Sequence, residues 1–225
     1  MQALMLMTMV LTAPMAYEPT SHYAVRHIEG WTVRVNKALL KDEKELGDRV
    51  LALLRVKLYE INRVVPEKAL GELHKVRIWV EVEDKPWPGG CYHPSREWLT
   101  ENGFNPDKAG AVEIGNAANF LTWTLDQPAM VLHELAHAYH HRVLGYDNED
   151  IKAAYKQAVE SGKYESVLRY NGEMEKAYAL NNDQEYFAEL SEAYFGVNDY
   201  YPFVRAEVKQ HDPVMYEVLR KVWGE

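Results

Sequence analysis

The twelve residues Met130-Val-Leu-His133-Glu134-Leu-Ala-His137-Ala-Tyr-His-His141 constrain this chain more than any other stretch. Residues four apart on an α-helix stand one above the other on the same face, so His133 and His137 can reach a common metal ion. Imidazole nitrogen suits zinc, and a catalytic zinc keeps one position open for water. Glu134, beside the first histidine, is placed to meet that water with its carboxylate. The pattern therefore demands a helix here, and a second element facing it to complete the site.

Composition narrows the partners. The chain has 225 residues, 47% hydrophobic and 26% charged, as an ordinary globular protein does, and it can bury a substantial core. A net charge of −9 without a basic stripe argues against nucleic acid. No apolar run reaches the roughly 20 residues that span a bilayer. Residues 1–16 carry no charge, are apolar through Leu11 and end in small residues around Ala16. They read as a signal peptide, which implies a secreted or periplasmic protein with a single domain over 17–225. Cys91 is the only cysteine, so no intramolecular disulfide forms.

The pattern along the chain predicts an α+β fold, with a small mixed or antiparallel sheet packed on the motif helix and a mainly helical C-terminal half. Tyr23–His27 and Trp31–Val35 read as a hairpin turned at Glu29-Gly30. Asp42–Arg63 has helical spacing, and Val76–Val82 alternates as a strand does. Glu83–Lys108, rich in proline and glycine, reads as a structured loop over a cleft, with a short helix near Ser95–Glu101. In that loop, Cys91 and His93 default to structural roles. Trp87, Tyr92 and Trp98, together with Trp123, are expected to pack core and loop. Ala111–Ile114 is a short strand, a candidate cleft edge for an extended substrate, and Gly115–Phe120 is the turn leaving it. Asp126 is the expected N-cap of the motif helix, which should run to about Val143 and stop at Gly145. Further helices are expected from Asn148, from an Asp183 cap to Phe195, and across Pro202–Trp223 with a break at Pro213.

Two histidines hold zinc weakly, and a catalytic site normally adds a third protein ligand. Glu185, near the start of a capped helix, is the best candidate. Glu189, four residues on, shares its face and is expected to accept a hydrogen bond from the free ring nitrogen of a zinc-bound histidine. The competing reading makes Glu185, Glu189 and Glu192 a solvated acidic stripe. His140 and His141 fall near the motif face but are taken as supporting or surface groups.

His133-Glu-Leu-Ala-His137 followed by Tyr178-Ala-Leu-Asn-Asn-Asp-Gln-Glu185-Tyr-Phe-Ala-Glu189 resembles the gluzincin zinc metallopeptidases of the anthrax-lethal-factor type. The likeness runs over about Pro128 to Phe195. A closer one is to small bacterial zinc metallopeptidases that share a Tyr-His-Pro-Ser loop and a His-Glu-Leu-Ala-His-Ala-Tyr-His helix. The resemblance implies a zincin-like fold with one zinc per chain on His133, His137 and Glu185. It also implies Glu134 as general base and Tyr178 as a tyrosine that points at the metal and assists catalysis. The expected substrate is a peptide or protein; oligomeric state and cleavage preference are not set by the sequence. A non-catalytic zinc-stabilised binding module and a zinc hydrolase of non-peptide, cell-wall amides are the alternatives.

Overall fold

A computed structural model describes residues 17–84 and 88–224. The signal-peptide reading of residues 1–16 and the role given to Trp87 lie outside them.

Strands β1 (Tyr23–Ile28) and β2 (Trp31–Asn36) form the expected antiparallel hairpin. Its turn needs positive φ at Glu29 (49°) and Gly30 (99°), and a Cβ on Gly30 would lie 2.7 Å from the His74 ring. The Asn36 side chain caps α1 (Lys37–Lys41), which leads into α2 (Lys44–Val64) and α3 (Glu67–Leu73). Helix α2 buries Val50, Leu54, Leu58 and Ile61, a stripe at 3.6-residue spacing. Each such side chain contributes about 1.5–3 kcal/mol by leaving water. Strand β3 (Arg77–Val80) runs parallel to β2.

The segment read as one long loop holds more structure than its composition suggests. It contains β4 (Gly90–His93), α4 (Arg96–Glu101, capped by Ser95) and a 3-10 turn at Pro106–Lys108. After β5 (Ala111–Ile114), Gly115–Phe120 is not merely a turn: the Asn116 side chain caps α5 (Ala117–Trp123). The sheet order is β1-β2-β3-β5-β4, mixed in direction. This corrects the expected edge. Strand β5 is interior, parallel to β3 and antiparallel to β4, and β4 is the edge.

The motif helix α6 (Met130–Tyr139), with Ala129 at its N-cap, starts three residues later than an Asp126 cap would place it. Asp126 does not cap it; its carboxylate accepts a hydrogen bond from the Tyr170 hydroxyl instead. Helical winding continues past Tyr139 as a π-helical turn, His140–Leu144, which ends at Gly145 (φ 78°). Helix α7 (Glu149–Ser161) is capped by Asn148 and is followed by the small hairpin of β6 (Val167–Leu168) and β7 (Met174–Glu175). Helix α8 (Asp183–Phe195) is capped by Asn182, not Asp183. Pro213 separates α9 (Arg205–His211) from α10 (Pro213–Trp223) by starting the second, where its missing N–H costs nothing.

The architecture is mixed α+β. The main core joins α2, α5, α6 and α8 to one sheet face through Val33, Ile78, Val112, Leu135 and Phe187. The other sheet face buries Tyr23, Trp79 and Ala111 beside Glu81, Glu113, His93 and Lys108. No helix among the described residues is long and apolar enough to cross a membrane.

Candidate metal centre and its cleft

Helices α6 and α8 pack against each other, and their facing sides build the centre. His133 and His137 project from consecutive turns of α6, and Glu185 comes from the first turn of α8, where Asn182 accepts from its backbone N–H. His133 Nε2 and His137 Nε2 are 3.0 Å apart, and Glu185 Oε2 lies 3.1 and 3.2 Å from them. Ligands about 2.0–2.1 Å from a tetrahedral zinc would stand roughly 3.3 Å apart, so the triangle has the size of one tetrahedron face. Nitrogen, nitrogen and carboxylate converge on one point, with Glu185 bonded to both histidines. This donor set fits a divalent transition metal.

Behind the triangle, His133 Nδ1 donates to Glu192 Oε1 at 2.6 Å. Nε2 of the same ring meets Glu185, so the Glu192 bond aims Nε2 at the triangle and would keep the remaining ring proton on Nδ1 once a metal took Nε2. Glu189, expected in this role, is 3.6 Å from Nδ1. The helix crossing places Glu192, seven residues after Glu185, closer than Glu189, four after it. Both carboxylates are buried, with 4% and 3% exposure, so a solvated stripe is excluded. Glu189, Glu192 and His133 also fall within ligand distance of one another. Because the Glu192 bond uses the Nδ1 proton, this second group supports the first.

Burial pushes the Glu185 carboxyl up, but hydrogen bonds and charge from both histidines outweigh it and hold it well below the usual carboxylate range. Burial and mutual repulsion raise Glu189, and burial raises Glu192 despite its bond to His133. Glu189 Oε2 and Glu192 Oε2 have no hydrogen-bond partner among the described residues.

Two lobes of one cleft meet at this centre, and both are lined by Gly90, His133, Glu134 and Tyr178. The lobe of about 430 Å3 adds Pro88, Trp123, Arg169 and Tyr200; that of about 350 Å3 adds Cys91, Tyr92, Tyr146 and Gln184. A more apolar groove of about 390 Å3, beside Ile61, Leu132 and Phe195, contains none of the chemistry. Gly90 is required by proximity: a Cβ there would lie 2.9 Å from Glu134 Cγ. Tyr178, on a 3-10 turn before α8, is half-exposed, and its hydroxyl bonds to no described residue. Burial and the Glu185 charge raise its pKa, which keeps it a proton-bearing donor.

The remaining candidates part company here. His93 is buried and donates from Nε2 to Glu113 Oε2 at 2.6 Å, away from the triangle. Cys91 lines the smaller lobe, and burial, together with Glu134 and Glu113, pushes its thiol up. His140 is fully buried and lowered to about 4, burial being the main cause. His141 Nδ1 bonds the Tyr92 hydroxyl at 2.8 Å. Tyr92 packs the core as expected, but Trp98 and Trp123 are partly exposed; Trp98 stacks on Phe104, and Trp123 walls the larger lobe. Glu192, Tyr146, Gly90 and β4 are what sequence reasoning missed. Only Glu192 carried a signal, its place on the Glu185 face.

Comparison with protein-family models, curated proteins and solved structures found no match.

Proposed function

We propose that this chain is a zinc-dependent peptidase with a zincin-like, gluzincin type of site. The observation that carries this reading is the triangle of His133, His137 and Glu185 opening on a cleft beside Glu134 and the free Tyr178 hydroxyl. When bound, zinc would acidify a water towards a pKa of about 7 and polarise a carbonyl. Glu134 would take the water's proton and pass it to the leaving amine. Tyr178 would donate to the oxygen on which negative charge develops, worth about 3 kcal/mol when well placed. Glu192 holds His133 in the required tautomer, and Gly90 lets β4 lie close against Glu134.

Strand β4 supplies the substrate track. As the sheet edge it leaves one row of backbone groups for an extended peptide to pair with. Such a peptide would cross the centre from one lobe to the other. Peptide recognition fits this better than a compact amide. Secretion or a periplasmic location belongs to the same proposal and rests on residues 1–16 alone.

The test is elemental analysis and peptide cleavage on one set of proteins expressed without residues 1–16. Wild type should hold about one zinc and cleave unstructured peptides. Glu185→Ala should lose the zinc. Glu134→Gln should keep it and lose about 10²–10⁴-fold in kcat. Cleavage retained by Glu134→Gln would sink the mechanism, and zinc retained by folded Glu185→Ala would sink the ligand set.

A further inference from the structure

Tyr146 has no part in the mechanism above, yet its surroundings are specific. It follows the Gly145 turn after α6 and lines the smaller lobe together with His137, Glu134 and Glu185. Its ring is clamped, stacked on His141 at 5.0 Å and edge-on to His140 at 5.1 Å. His141 is in turn bonded to Tyr92 of β4. The ring is therefore tied both to the metal helix and to the edge strand. Its hydroxyl makes no hydrogen bond to any described residue, although the side chain is half-buried. A rigid donor left unpartnered beside a cleft is a ready contact for a ligand.

The strand direction says which part of a ligand. Strand β4 runs from Gly90 to His93; Pro88 and Gly89 line the larger lobe, while Cys91, Tyr92 and Pro94 line the smaller one. Antiparallel pairing is slightly the more stable per residue. A peptide paired so would lay its C-terminal part in the larger lobe and its N-terminal part beside Tyr146. We infer that Tyr146 is a substrate-binding residue, its hydroxyl donating to a backbone carbonyl on the N-terminal side of the scissile bond. This rests on the peptidase reading for the substrate's name but not for the contact itself.

The experiment uses the zinc-loaded protein, wild type and Tyr146→Phe, titrated calorimetrically with two zinc-binding probes. One is an N-acetyl-dialanine hydroxamate, whose peptide part fills the N-terminal side. The other is acetohydroxamate, which has no peptide part. Tyr146→Phe should weaken the dialanine probe about three- to tenfold, as loss of one hydrogen bond does. Acetohydroxamate affinity and zinc content should not change. In peptide cleavage the loss should fall on KM with kcat nearly unchanged, the sign of a contact made equally in ground and transition states. Equal loss for both probes, or loss of zinc, would make Tyr146 a support of the metal and overturn the inference. Unchanged affinity for the dialanine probe would overturn it too. Absence of peptide cleavage by wild type, with a Tyr146-dependent dialanine probe, would instead fail the peptidase reading and leave the binding residue standing.

Discussion

Two groups of buried carboxylates in this molecule follow opposite rules. Under the sheet, Glu113 accepts from Lys108 Nζ at 2.6 Å and from His93 Nε2 at 2.6 Å. Beside it, Glu81 accepts from the Tyr23 hydroxyl at 2.5 Å, Lys108 at 2.8 Å and Asn36 at 3.3 Å. Every oxygen there has a partner, and one cation serves both carboxylates. Behind the candidate metal triangle, Glu189, Glu192 and Asp199 each leave one buried oxygen without a hydrogen bond among the described residues. Their nearest charges are His133 and, 3.7 Å from Asp199, the Arg169 guanidinium. The first group is complete without a ligand and holds strands β3 and β5 to the Lys108 turn. The second is left incomplete by its own residues, directly behind the candidate metal triangle. Burial alone distinguishes nothing; the balance of partners separates a structural cluster from a functional one.

The largest effect should come from breaking the satisfied cluster. Lys108→Met keeps the volume but leaves Glu81 and Glu113 buried beside each other without their cation, a loss of about 3–5 kcal/mol. Urea unfolding of the metal-free protein measures it, and a loss under 1 kcal/mol would erase the contrast. Glu192→Gln should do the reverse. It removes negative charge next to Glu189 while an amide oxygen still accepts from His133, so metal-free stability should stay within about 1 kcal/mol of wild type. Zinc affinity, by competition with a chelator, should fall about tenfold. If Glu192→Gln unfolds the chain while zinc affinity is unchanged, the carboxylate serves the fold and the comparison inverts. The smallest effect sharpens the position of Glu185. Asn182→Ala removes the cap of α8, should cost about 1 kcal/mol in unfolding, and should weaken zinc binding only through that helix end.

How much of this was legible depended on whether local pattern or tertiary pairing decides the element. The motif helix and α8 announced themselves through 3.6-residue spacing, and the hairpin of β1 and β2 through alternation and a glycine turn. Strand β4 did not, because Gly90-Cys-Tyr-His between prolines has no alternation. It is a strand because Cys91 and Tyr92 register against Glu113 and Val112. The Asp126 cap failed for a similar reason: Pro128 follows two residues later, the segment turns before α6 begins, and the carboxylate finds Tyr170. At the site, helical spacing put Glu185, Glu189 and Glu192 on one face. Which of them meets His133 is set by the crossing of α6 and α8, and no single-helix pattern contains that. Tyr146 was invisible because a lone tyrosine after a glycine carries no period at all.

The π-helical turn at His140–Leu144 has one more consequence. His133, His137 and His141 are spaced four apart, and continued α-helical winding would carry the third ring up the same face as the first two. At the start of the π-helical turn His141 instead bonds through Nδ1 to the Tyr92 hydroxyl of the edge strand. One widened turn of backbone thus ends in a tether, joining the helix of His133 and His137 to the strand that walls the cleft.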